Sequence, residues 1–104
     1  LSLRPRATAV LAASDEIAVG AMETAWRCGL RVPGDVSVVG YDNHSWSPYV
    51  RPPLTTIEHD GWRLGEAAGK LLTDMLQGRT PSARQVLLAS QLIVRESTGL
   101  PAAR

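Results

Sequence analysis

The sequence holds one cysteine, Cys28, in 104 residues. A disulfide framework within the chain is thereby excluded, and a reducing cytoplasm is the expected compartment. No apolar run approaches the roughly 20 residues of a membrane span, and the N-terminus has no signal-peptide pattern. An excess of charge of one sign is missing as well. The formal net charge is +1, and only one of the 11 basic residues, Lys70, is a lysine. The arginines do not cluster, so the dense basic patch of a nucleic-acid surface is not expected in this segment. There is no Gly-x-Ser-x-Gly nucleophile elbow, no phosphate loop and no Gly-x-Gly-x-x-Gly fingerprint. His44 and His59 are too isolated to form a metal pair on spacing. No catalytic residue, metal ligand or cofactor is therefore expected, and the protein does not read as an enzyme.

The apolar share of 44% and the charged share of 20% are those of an ordinary globular chain. A chain near 100 residues buries roughly 60–70% of its unfolded surface, which sustains one thin core. The start at Leu1 and the character of "LSLRPR" suggest a piece of a longer protein. "TAVLAAS" (8–14) is continuously apolar, as for a strand buried on both faces. Ser14 and Asp15 offer cap oxygens to a helix over about 16–27, and Gly29 supplies a left-handed stop. Pro33 and Gly34 mark a turn before a strand over 36–39. This strand–helix–strand unit implies parallel strands joined by a right-handed crossover. Residues 41–53, with Pro48, Pro52 and Pro53, read as a connector without regular structure. "LTTIEH" (54–59) reads as a short strand. Asp60 can cap a second helix over about 62–77, closed by Gly78. Leu64, Ala68, Leu71, Leu72 and Met75 share one face of it, with Glu66 and Lys70 paired on the polar side. "GRTPSAR" (78–84) is a linker, and 86–97 is extended, broken near Ser90 and Gln91.

Function candidates gather where strands end, because open parallel sheets bind ligands outside their carboxyl ends. Asp15 has two compatible readings: a helix cap, or a carboxylate projecting into a crevice while Ser14 does the capping. Asp42 and Asn43 end the next strand and read either as Asx-turn residues or as part of the same crevice. Trp46 and Tyr49 in the connector either stack on the apolar face of a sugar or pin the loop to the core. Cys28 reads as a buried small hydrophobe.

The first helix raises a separate expectation. Glu16, Gly20, Glu23, Thr24 and Arg27 gather in one polar arc. Ile17, Ala18, Val19, Ala21, Met22, Ala25, Trp26, Cys28 and Leu30 cover most of the remainder. A helix on one sheet needs an apolar stripe only somewhat over 100° wide. A second surface should therefore cover Val19, Met22 and Trp26, and a homodimer interface is the expectation there.

Taken together, "TAVLAASDEIAVGAMETAWRCGLRVPGDVSVVGYDN", "PPLTTIEHDGWRLGEAAGKLL" and "LLASQLIVRESTG" resemble the effector domain of LacI/GalR-type bacterial transcription regulators, over about 8–99. The resemblance implies an α/β fold with a parallel, Rossmann-like three-layer sheet. The whole of 1–104 would be a fragment of a two-lobed, type I periplasmic-binding-protein-like domain. Residues 8–43 would form a β-α-β unit of the C-terminal lobe. Residues 54–78 would lie in the N-terminal lobe, and 85–99 would cross back. The DNA-binding domain would lie outside this chain, and the parent would touch operator DNA through it. The resemblance further implies a small-molecule effector, a carbohydrate by family habit, with Asp15 as a hydrogen-bonding residue. Ser14, standing where Asn is frequent, Asp42 and Trp46 complete the expected ligand set. Such regulators dimerise side by side. The competing expectation is a solute-binding protein of sugar transport, which shares the fold.

Overall fold

The structure, a computed structural model, describes residues 6–81, 83, 85–101 and 103. Apart from Arg6, the expected joining segment 1–6 lies outside the described residues, as do positions 82 and 84 of the expected linker. The elements run β1 (Ala9–Leu11), α1 (Asp15–Arg27), β2 (Ser37–Val39), β3 (Thr56–His59), α2 (Gly61–Leu76) and β4 (Ser90–Ile93). One 3-10 turn, Ser47–Tyr49, interrupts the connector that was expected to hold no regular structure. Its fixed-φ Pro48 stands in the first turn, where a missing N–H costs nothing.

β1 and β2 pair in parallel, with Ala9 opposite Ser37, Val10 opposite Val38 and Leu11 opposite Val39. The sheet is extended by a parallel bridge from Val39 to Thr55, and β3 is hydrogen-bonded to β4. The fold is α/β as expected, with two two-stranded sheets among the described residues. Local chemistry sets the ends of the helices. Ser14 caps α1 by accepting from the N–H of Ile17 at 3.3 Å, and Asp60 caps α2 by accepting from Arg63 at 3.0 Å. Gly29 at φ 73° and Gly78 at φ 71° end them in the left-handed region. In the turn before β2, Asp35 accepts from the guanidinium and the backbone N–H of Arg31. These bonds hold its carboxyl down to about 2.

Ala12, Ala18, Met22, Val38 and Leu54 form the core. α1 contributes Asp15, Ala18, Met22 and Ala25, a stripe of three- and four-residue steps. Two expectations are corrected here. Met22 is 1% exposed and belongs to the core, not to an outer interface, because the same stripe that carries Ala18 faces β2. Cys28 is exposed, because it is the C-cap residue of α1 and lies past the buried stripe. Trp26, at 43% exposed, and Ile17, at 57%, do remain outside.

β1 is also not buried on both faces: Ala9, Val10 and Leu11 are all exposed. Among the described residues it has β2 alone beside it, and a parallel pair needs covering layers to be buried.

The chain divides into two compact units. One runs to Glu58 and resumes at Gln91; the other is His59–Ser90. The division between these units falls at His59: Gly40 donates to Thr55 and Asp42 to Ile57, both at 2.9 Å, which keeps 54–58 with β2. Ser97 closes this first unit from the other side. Its hydroxyl donates to Val38 at 2.6 Å and accepts from the N–H of Thr55 at 2.8 Å. In the second unit, α2 has the expected apolar stripe, yet none of its residues is buried. Lys70, expected opposite Glu66, reaches Asp74 at 3.0 Å.

Met22→Ala leaves a cavity in the small core and is expected to cost about 2–4 kcal/mol. Urea unfolding is the measurement. A loss under about 0.5 kcal/mol would place Met22 outside the core.

Candidate functional site

The ends of β1 and β2 meet over one side chain. Asp15 is the first residue of α1 and is 0% exposed. Its Oδ1 accepts from the Thr56 hydroxyl at 2.5 Å. Its Oδ2 accepts from the Ser47 hydroxyl at 2.5 Å and from the N–H of His44 at 2.8 Å. Its own N–H donates to the carbonyl of Tyr41 at 2.9 Å. Burial by itself raises the carboxyl, but the bonds from Ser47, Thr56 and His44 outweigh it and hold Asp15 below its ordinary value. Gly40 lies directly beneath. A Cβ there would overlap Oδ1 of Asp15 and press on Leu54, so only glycine lets β2 pass so close to the carboxylate.

This corrects the expected placement of Asp15. It does not project into a crevice: it is 0% exposed, and three donors from this chain already bond its two oxygens. It works from beneath as a tie between α1, the connector and β3.

What does reach the surface lies around that tie. Asp42 and Asn43 sit at φ 111° and 53°. Asp and Asn are the non-glycine residues that best tolerate positive φ, which suits both to this bend. For Asp42 the angle lies well beyond the left-handed helical well, a conformation that persists only where surroundings impose it. The imposing bonds are Asp42 N–H to Ile57 and His44 N–H to Asp15. Ser14, Asp42, His44 and Trp46 are all half-buried. His44 stacks flat on Trp46, with ring centroids 5.2 Å apart and planes 4° from parallel. Its Nε2 lies 3.0 Å from Glu16 and 3.9 Å from Asp42. The rim thus offers two carboxylates, a hydroxyl and a stacked imidazole–indole pair, drawn from 14–16 and 42–46.

Of the expected ligand set, Ser14, Asp42 and Trp46 lie at this surface and Asp15 lies under it. Sequence reasoning missed His44, Glu16, Ser47, Thr56 and Gly40. The ligating atoms of Glu16, Asp42 and His44 are all within 4.8 Å of one another, and they are the group among the described residues that could grip a cation. His44 and His59 do not come together in that group. A shallow hollow of about 360 Å³ lies elsewhere, on α2 beside Gly61, Trp62, Gly65 and Glu66. Its wall is one exposed helix face, so we place the candidate site at the strand tips instead.

A parallel β-α-β unit that presents polar and aromatic side chains at its strand tips is the ligand-binding edge of an open α/β domain. A family model for the periplasmic binding protein-like domain matches residues 1–98. The chain belongs to this family, in the form found in LacI-type regulators. It is 41% identical over 98 residues to the HTH-type transcriptional repressor CytR of Escherichia coli (strain K12), covering 94% of this chain and 29% of that one. The Lac repressor dimer bound to operator and the anti-inducer ONPF matches with a TM-score of 0.74 and 43% identity, over 88% of this chain and 32% of that chain. The complex of the transcriptional regulator CelR with cellobiose matches with a TM-score of 0.76 and 36% identity, over 89% and 28%. The chain therefore spans about three tenths of the length of the curated relatives it matches.

Asp15→Asn should lower stability by about 2–3 kcal/mol, the worth of charge-assisted bonds lost inside a protein. The pH dependence has a definite sign. A carboxyl held low when folded adds stability above its unfolded value, near pH 4, and loses it as pH falls through the folded value. Urea midpoints between pH 7 and pH 3 should therefore fall less steeply for Asp15→Asn than for the parent. Parallel curves would remove Asp15 as the tie.

Proposed function

We propose that this chain is an effector-sensing segment of a DNA-binding transcriptional regulator, and that the effector is a carbohydrate. The observation that carries this reading is the rim. Asp42 is held in a costly backbone conformation beside a flat His44–Trp46 stack. A carboxylate paired with an aromatic face suits a sugar, which presents hydroxyls on its edge and C–H groups on its faces. Asp42 and Ser14 take the hydroxyls, Trp46 and His44 the apolar face, and Asp15 fixes the backbone beneath them. The cellobiose-bound neighbour supports the ligand class.

Residues 8–43 are assigned to the C-terminal lobe, and the compact unit His59–Ser90, which holds most of 54–78, supports placing that stretch in the N-terminal lobe. Sensing works by linkage: an effector that prefers one lobe arrangement shifts the population toward it and alters operator affinity by the same coupling free energy. Operator contact belongs to a separate N-terminal domain, the setting is the cytoplasm, and no catalysis is assigned. A solute-binding protein of sugar transport has the same fold. The repressor named among the relatives favours the regulator.

Asp42→Gly separates stability from binding. Glycine accepts φ 111° freely, so the variant should match the parent or exceed it by up to about 1 kcal/mol. Its affinity for a binding sugar should fall at least about tenfold, the worth of one charge-assisted bond. Calorimetry of the full-length regulator against mono- and disaccharides, cellobiose and lactose included, reads this out. No saccharide binding by the parent, or equal binding by the variant, overturns the reading.

The homodimer is proposed on the outer face of α1, with Trp26 and the half-buried Val19 at its interface and Met22 withdrawn from it. Trp26→Glu should raise the dimer dissociation constant at least about tenfold in sedimentation equilibrium, since it buries a charge without a partner. An unchanged constant excludes this face.

A further inference from the structure

The chain passes between its two units twice, after Glu58 and before Gln91. One side chain of the rim is bonded beside both passages. The amide oxygen of Asn43 accepts from Nη2 of Arg95 at 2.7 Å, and its amide nitrogen donates to Glu58 at 3.1 Å. Only this orientation of the amide suits a cation on one side and a carboxylate on the other. The backbone N–H of Asn43 donates to Thr56 at 3.3 Å. Arg95 is fixed in turn. Its Nη1 donates to the carbonyl of Leu54 at 2.8 Å, and its N–H donates to the Thr55 hydroxyl at 2.9 Å. Glu58 is the last residue of the first unit on the outward passage, and Arg95 lies two residues beyond β4 on the return.

We propose that Asn43 and Arg95 form a coupling clamp that carries any displacement of the rim at Asp42 to both strands leading to the second unit. The proposal rests on reading 42–46 as the effector rim, but its own content is mechanical. Asp42 and Asn43 are adjacent and share one left-handed turn. A ligand pulling on the first must move the second, and the amide of the second holds the ends of both strands. Arg95 is a positioning residue: it touches the amide of Asn43 and gives that amide its purchase on Leu54 and Thr55. A lysine offers one ammonium in place of the fork and cannot hold both acceptors in this geometry.

Amide hydrogen exchange on the full chain tests the clamp without a ligand, using Asp42→Gly as the disturbance of the rim: glycine keeps the fold but removes the side chain and frees the turn to sample other backbone angles. In the parent background, Asp42→Gly should change exchange at Glu58 and Arg95 at least about fivefold, since contacting residues couple strongly. In an Arg95→Gln background the same change should stay under about twofold. A residue that only stabilises the strands would raise exchange in Arg95→Gln yet leave the Asp42→Gly increment intact, and that result overturns the proposal. So does an increment under about twofold in the parent. Arg95→Lys repeats the cycle with the charge kept and should behave as Arg95→Gln does; an increment as large as the parent's counts against the fork. Sugar binding plays no part in these readouts. A rim that binds no saccharide therefore defeats the functional reading alone, and an uncoupled rim that does bind defeats the clamp alone.

Discussion

A carboxylate withdrawn from water must have its lone pairs filled by the protein, because an uncompensated buried charge costs several kcal/mol. Asp15 meets that demand from three directions, through Thr56, Ser47 and the N–H of His44. The donors come from the connector and from β3, so satisfying one side chain fixes where β3 begins, where the 3-10 turn sits and how the 41–46 loop folds over the end of β2. The requirement for glycine at position 40 is a further consequence, since the carboxylate occupies the space a Cβ would need. The core beneath is small, five residues by the described contacts. The polar tie therefore supplies geometric definition that so few apolar side chains do not.

The features legible in the sequence are those decided within a few residues. The caps at Ser14 and Asp60, the left-handed stops at Gly29 and Gly78, and the parallel strand–helix–strand order all depend on local chemistry. The direction of Asp15 was not legible. Ser14 and Asp15 are equally competent to cap, and the choice is made by hydroxyls 32 and 41 positions away. The same limit applies to α1. A helical projection shows how wide its apolar arc is, but the register against β2 decides that Met22 turns inward while Trp26 stays at the surface. Burial of β1 was overestimated because composition reports what a strand could bury, and exposure depends on which neighbours stand beside it.

The candidate site was half legible for a related reason. Position at a strand tip pointed to Asp42 and Ser14, and residue type pointed to Trp46. His44 was not legible because its spacing to the other histidine carries no signal, whereas its partners are a carboxylate in the first turn of α1 and the ring two residues on. For Asn43 the sequence offers a place in the crevice and, beside it, a positive-φ turn. The turn holds for its backbone, and the use of its side chain depends on Arg95, 52 positions later.

The division of labour between the buried tie and the exposed rim bears on how such a surface can diverge. Backbone shape at 41–46 is set from below by Asp15, Gly40, Ser47 and Thr56, residues that meet solvent little or not at all. Side chains at Glu16, His44 and Trp46 stand on that frame without being part of it. They can be exchanged for others with little effect on the loop's path, so descendants of one ancestral scaffold can acquire new tastes in ligand by changes at a handful of outer positions. The inner four are the part that such a lineage has least freedom to alter.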